Sequence, residues 1–277
     1  MRWRTMAIWV LLGILVALVI PRADAARTVA SPPPLLDPVA DSTGALAGGE
    51  TLVLTGENLS AITNVTFGEQ DAVAVSATNG AVEVVVPNAV DYAPETVDIT
   101  AWAGSQAIGT DAVHGYEVRT AVDEQLQYAF AHWDSYNTAA YGDFNVWGGD
   151  CMNFVSQTLV ARGWQTTPEW FNDAQRDWAS PFVYAPDFDT WLQGHPELGA
   201  TRLDQYQADQ VKVGDVVLMD WEGNGFFNHA QIVSAIEWEG GEPRILMVGH
   251  NVDSTYRDLE TALADDPNGY AVFWSIP

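Results

Sequence analysis

The apolar positions of this chain change their spacing near residue 120. Before that point they come in short runs, Thr51–Leu54, Val65–Phe67, Val82–Val86 and Thr96–Thr100, that alternate with polar positions or are β-branched. Gly, Asn and Pro separate these runs at intervals of about ten residues, the pattern of a β-sandwich. From Ala121 to Tyr141 the spacing becomes helical, with Val122, Leu126, Ala129, Phe130 and Trp133 in register. Asp123 and Glu124 stand at the end of that helix where its dipole favours acids. A second helix is predicted from Cys151 through Val160 and Ala161, stopped by Gly163. Strand-like runs follow at 215–219, 230–236, 244–248 and 270–274. Helices first and antiparallel strands afterwards make an α+β order.

The first residues carry a different signal. Arg2 and Arg4 precede Met6–Ile20, a run of 15 residues with no charged or polar side chain. Pro21 breaks the run, and Ala23-Asp24-Ala25 supplies the small-x-small pattern of a signal-peptidase site. A membrane span needs about 20 apolar residues, so residues 1–25 predict a cleaved export signal. The product would be secreted, with no membrane segment after cleavage. Residues 26–36, with Pro32-Pro33-Pro34, read as an extended linker. The expected organisation is therefore a signal over 1–25, a linker over 26–36, a sandwich over 37–118 and an α+β domain over 119–277.

Charge narrows the partners. The chain has 11 basic and 37 acidic residues, a formal net charge of −26. Loss of residues 1–25 would take away three arginines and one aspartate and leave −28. A field of that sign repels phosphate backbones and predicts no nucleic-acid partner. About 250 residues after the signal, rich in tryptophan, suffice for two packed domains.

The chemistry centres on Cys151, the only cysteine. An odd cysteine in an exported chain is either an intermolecular bridge or a reactive thiol. Gly148 and Gly149 allow a tight turn, Asp150 can cap, and the predicted helix begins at the cysteine itself. The N–H groups of a first helical turn favour a thiolate and any oxyanion formed beside it. Nucleophilic thiols need a base. His229, in Asn228-His229-Ala230-Gln231, stands at a strand entrance after the glycine-rich loop 222–225. His250 or Asn251, at the end of the next strand, could orient its ring, which completes a nucleophile, base and orienter set. His114, His132 and His195 have no comparable setting and read as packed or solvated residues.

Two resemblances follow from these residues. Gly48-Gly49-Glu50-Thr51-Leu52-Val53-Leu54-Thr55-Gly56-Glu57-Asn58-Leu59, Val65-Thr66-Phe67-Gly68 and Val86-Pro87 resemble an IPT/TIG immunoglobulin-like module. Such a module implies a spacer, or a surface that touches cells or carbohydrate. Gly149-Asp150-Cys151, Asn153-Phe154-Val155-Ser156-Gln157, Val213-Gly214-Asp215-Val216-Val217 and Asn228-His229-Ala230-Gln231-Ile232-Val233 resemble the putative amidase domain family. That group is papain-like and related to NlpC-type and CHAP-type cell-wall peptidases. The sequence departs from its pattern at Met152, at Asn228, where an Asp is usual, and at Ala230-Gln231 in place of Ser-Ala. The resemblance implies a papain-like cysteine amidase or peptidase domain in which Cys151 attacks an amide carbonyl and His229 moves the proton. His250 or Asn251 would orient the ring, and Asn145, six residues before the cysteine, would be an oxyanion donor. The substrate class it implies is a peptide, or the stem peptide of peptidoglycan.

No cofactor or metal is predicted. Asp220-Trp221-Glu222-Gly223-Asn224-Gly225 begins like a calcium loop, but its twelfth position is Gln231 instead of the bidentate Glu such loops require. It reads as a turn that shapes the cleft. The competing expectation is a non-catalytic surface or adhesion protein, with the sandwich as its working part and a degenerate second domain.

Overall fold

The structure, a computed structural model, describes residues 32–239, 242–264 and 268–277. The expected export signal and residues 26–31 of the proline-rich stretch lie outside them. Among the described residues no helix is long and apolar enough to cross a membrane.

The alternating runs pair as an N-terminal all-β sandwich. One sheet has the order Leu35–Leu36, Thr51–Glu57, Ala81–Val85, Ala74–Ala77. The facing sheet has the order Ser42–Ala45, Gln106–Glu117, Glu95–Ala103, Asn64–Phe67, Gln70–Asp71. Alternation sets which side chains turn inward: Val82 and Val84 are buried on either side of exposed Glu83. They meet Val65, Phe67, Ile99 and Ala101 of the other sheet in one core. Leu35 and Leu36, at the end of the stretch read as a linker, pair with Glu57 and Gly56. A Cβ at Gly56 would lie 2.1 Å from the Leu35 carbonyl oxygen, so only glycine lets the strands approach there.

After Glu117 the chain enters a mixed α/β domain. The first helix, Ala121–His132, is closed by a capping box in which the Thr120 hydroxyl accepts the Asp123 N–H and the Asp123 carboxylate accepts the Thr120 N–H. It stops nine residues short of the expected Tyr141. Asp134, Ser135 and Asn137, weak helix formers, follow His132, and only a short turn of helix, Thr138–Tyr141, comes after them. The second long helix, Cys151–Ala161, begins at the cysteine, as the glycine turn and Gly163 predict.

Six strands form one antiparallel sheet with the order Thr201–Leu203, Tyr270–Ser275, Val216–Asp220, His229–Glu239, Glu242–Gly249, Ser254–Asp258. The Cys151 helix packs on one face, where Phe154, Val155 and Leu159 meet Ala230, Ile232 and Val248. The opposite face buries Val217, Met219, Val233, Met247 and Phe273 under Leu259 and Ala262.

The sandwich and the α/β domain share a hydrophobic core. Asp123 is fully buried and its carboxylate serves three backbone groups of the junction. Its oxygens accept the N–H groups of Ala47, in the sandwich, and of Arg119 and Thr120. Tyr92, in a turn after the Ala81–Val85 strand, donates its hydroxyl to the Ser234 carbonyl and packs its ring 5.0 Å from Phe130 of the first helix. A junction this dry couples the unfolding of its two sides. Calorimetry is therefore expected to show one transition for residues 26–277. Tyr92→Phe, which leaves the Ser234 carbonyl without that donor, should lower stability by about 1 kcal/mol.

Candidate active site

The Cys151 helix starts where it does because its first residues are held from several directions. Gly148 and Gly149 have φ of 119° and 153°, values that side chains rarely allow. A Cβ on Gly149 would also stand 3.1 Å from Asn251 Oδ1. That oxygen accepts the Asp150 N–H at 2.5 Å. Asp150 itself is buried, and its Oδ1 accepts the Phe144 N–H at 3.1 Å and the Asn153 side-chain amide at 2.9 Å. Its Oδ2 lies 2.7 Å from His250 Nδ1.

His250 is completely buried, flat against the Tyr136 ring at 3.5 Å and beside Phe154 at 4.2 Å. Its Nε2 lies 2.8 Å from the His132 carbonyl oxygen. A carbonyl can only accept, so Nε2 carries a hydrogen, and Nδ1 shares a second proton with Asp150. Both nitrogens are thereby spent. The expectation that His250 or Asn251 orients the His229 ring is not what these hydrogen bonds do. Both residues act on the start of the Cys151 helix, His250 through Asp150 Oδ2 and Asn251 through the Asp150 N–H. Asn251 has φ of 67° and keeps its own N–H on Asp253 Oδ1 at 3.0 Å.

Cys151 retains 9% of its surface. Its sulfur is met by the backbone N–H groups of Ala230, of Met152 and of Cys151 itself. Burial nevertheless outweighs these donors and, with a smaller push from the Asp150 charge, takes the thiol up to about 11. His229 directly precedes Ala230 at the start of its strand, so the base candidate adjoins the backbone N–H that faces the sulfur. No hydrogen bond joins the two side chains: His229, opposite Met219 in the register, points to the face of the sheet away from the Cys151 helix. The His229 ring is 5% exposed, lies 5.7 Å from Trp221, and its Nε2 is buried without a hydrogen-bond partner. Burial first, and Arg257 second, push its pKa down to about 4. The pair thus rests as neutral thiol and neutral imidazole. Gln231, on the same face of the strand, has both amide atoms buried and unpartnered.

Asn145 lies at the rim, exposed. Asn251 Nδ2 donates to its Oδ1, and its side chain reaches the Tyr136 hydroxyl. The other histidines sit apart from this centre. His114 is packed in the sandwich against Ser42, Phe67 and Tyr116. His195 pairs with Glu169 at 3.0 Å. His132 contributes only its carbonyl. In the glycine-rich loop, the Asp220 carboxylate accepts the N–H groups of Gly223 and Gly225, which makes the loop a turn. Two grooves, of ≈460 and ≈750 Å³, touch neither Cys151 nor His229. A smaller cleft of ≈180 Å³ is walled by Gly149.

Comparison with known proteins identifies both halves. A model of the IPT/TIG domain matches residues 34–114, and a model of the Putative amidase domain matches residues 116–273, more than half of the chain. The chain belongs to the Putative amidase domain family. The sandwich is its IPT/TIG domain. Among curated proteins, it is similar to the "Uncharacterized protein YhbB" of Bacillus subtilis (strain 168), with 29% identity over 156 residues. That alignment takes in 54% of this chain and 48% of YhbB, so the chain spans about half the length of that relative. Among solved structures, the plexin A4 extracellular region aligns with 31% of this chain and 8% of its own, at 21% identity and a TM-score of 0.27. The Bacteroides ovatus protein SGBP-B, solved with a mixed-linkage heptasaccharide, aligns with 86% of this chain and 50% of its own, at 8% identity and a TM-score of 0.24. Likenesses at that level say nothing of function.

Only a thiolate is alkylated. The iodoacetamide rate at Cys151 of this family member should therefore climb about tenfold per pH unit from 7 to 10 in the folded protein. In urea the same cysteine should level off near its ordinary value of about 8.5. A fast rate already constant from pH 6 would reveal a thiolate–imidazolium pair instead. His229 gives a second expectation. Its folded pKa is depressed, so the unfolded chain binds the extra proton first. Stability should fall as pH drops from about 6.5 toward 4, and His229→Gln should flatten part of that slope in urea titrations.

Proposed function

We propose that the protein is a thiol-dependent amidase or peptidase, exported from the cell, with a papain-like α+β catalytic domain. The observation that carries the reading is the sulfur of Cys151 at a helix start, met by three backbone N–H groups, one of them from the residue after His229. Donors fixed in that way favour negative charge on sulfur, or on an oxygen bonded beside it, without rearrangement at the moment of reaction.

In the proposed reaction the neutral His229 ring leaves the opposite face of the sheet, swings round the start of its strand to Cys151, and takes the thiol proton as the sulfur attacks the amide carbonyl carbon. The carbonyl oxygen becomes an oxyanion held by the first-turn N–H groups. As the C–N bond breaks, His229 returns the proton to the departing amine, leaving a thioester on Cys151. Water, deprotonated by His229, then releases the acid and restores the thiol. Asp150, His250 and Asn251 hold the helix start in place and touch no reacting atom. Asn145 can turn its amide N–H into the same oxyanion site from the rim.

The substrate in this reading is a peptide, and the stem peptides of peptidoglycan fit an exported enzyme of this family. Export rests on the charged and apolar pattern of residues 1–25. The sandwich serves as a spacer or as a contact to the cell surface or its carbohydrate. A second reading, a non-catalytic binding protein, draws support from the unpartnered His229 Nε2 and the buried, protonated thiol. Digestion of cell-wall fragments and of a peptide mixture, followed by mass spectrometry, separates the two. Wild-type protein should release new amine termini, and Cys151→Ala should lower the rate by at least about a thousandfold. Full activity in Cys151→Ala would end the thiol reading. No product from either protein would favour the binding protein.

A further inference from the structure

The turn that delivers Cys151 also forms one wall of an aromatic cleft. Phe144, Trp147, Gly149, Trp178, Val183 and Tyr184 line it, with a volume of ≈180 Å³. Gly149 stands two residues before Cys151 in the chain, at the turn into its helix. Trp147 and Trp178 lie stacked, with ring centres 5.0 Å apart and planes at 26°. Phe144 meets both edge to face, at 5.4 and 5.3 Å. Trp147 is 59% exposed and Tyr184 46%, far more than the aromatic rings of the core. Exposed aromatics gathered around a cavity mark a surface that gains by being covered.

The occupant follows from size and lining. Sites for drug-sized ligands and cofactors run from about 300 Å³ upward, so this cleft admits one side chain. Its walls are the side chains of Phe144, Trp147, Trp178, Val183 and Tyr184 and the backbone of Gly149. An acidic side chain is disfavoured twice, by the apolar lining and by the net charge of −26. The geometry points to a specificity subsite that receives one aromatic or large aliphatic side chain of a peptide substrate, a residue close in sequence to the amide that Cys151 attacks. This inference rests on the proposed amidase or peptidase reading for its catalytic meaning, while binding at the cleft does not depend on it.

The test begins with binding, in Cys151→Ala protein, so that turnover plays no part. N-acetyl-phenylalanine amide, N-acetyl-glycine amide, N-acetyl-glutamate amide and N-acetylglucosamine are titrated separately while the tryptophan indole N–H resonances are followed. Trp147→Phe and Trp178→Phe variants assign the two signals. The phenylalanine amide should move both indole signals at millimolar concentration, and the other three should not. Trp147→Ala and, as a second variant, Tyr184→Ala should each weaken that binding about tenfold, with unchanged melting temperatures confirming the fold. No shift with the phenylalanine amide, or an equal shift with N-acetylglucosamine, overturns the inference. In wild-type protein, a peptide mixture varied at single positions should show one position with an aromatic or aliphatic preference. Trp147→Ala should reduce that preference about tenfold or more, the scale of discrimination by an apolar pocket. A preference unaltered by Trp147→Ala also overturns it. Absence of any cleavage dependent on Cys151, with phenylalanine binding intact, removes the catalytic reading and leaves the subsite standing.

Discussion

A buried carboxylate at the head of a helix is costly unless each of its oxygens is engaged, and Asp150 is engaged by four residues from three parts of the chain. Phe144 reaches it from the preceding turn, Asn153 from the helix, and His250 from a strand end 100 residues later. Asn251 completes the set by taking the Asp150 N–H. Every element that bounds the site is thus tied to one residue, next to the cysteine. Removal of that carboxylate would strand a fully buried imidazole and two amide donors together, which is a heavier loss than any single hydrogen bond in the set. The position of the sulfur depends on this cluster more than on local helix propensity.

The same economy appears at the other end of the domain. Asp123 closes the first helix through its capping box and, with its remaining acceptor capacity, also takes the N–H of Ala47. One carboxylate therefore serves a local and a long-range purpose at once. With Tyr92 reaching Ser234 and Phe130 packing on Tyr92, the IPT/TIG domain is fixed to the sheet that bears His229. It is joined by buried contacts where a linker would have left it free.

Much of this was legible in the sequence because periodicity reports burial directly. Val82 and Val84 around Glu83 mark a half-buried strand, and Gly148-Gly149 before Cys151 mark a helix start. The end of the first helix was harder to read: it stops at His132, ahead of the weak helix formers Asp134, Ser135 and Asn137, while Trp133 continues the apolar spacing. Side-chain partnerships were not legible at all. Spacing puts His250 at a strand end near the site, but which nitrogen meets Asp150 and which meets the His132 carbonyl depends on packing against Tyr136 and Phe154. The chemical state of Cys151 reversed for a related reason. A helix start predicts an acidified thiol, yet the depth of burial, which no motif encodes, wins over the donors. The aromatic cleft escaped notice because Phe144 and Trp147 share one short turn while Trp178 comes from a two-residue strand 31 positions later, with no periodic signal between them.

That depth of burial bears on resistance to oxidation. Peroxides and disulfides react with the anion of sulfur far faster than with its protonated form, and each step of oxidation needs access to the atom. A cysteine kept protonated under 9% exposure offers little of either. Oxidants would find it armoured at rest, and the sulfur would become vulnerable only in the brief interval when a bound substrate already shields it.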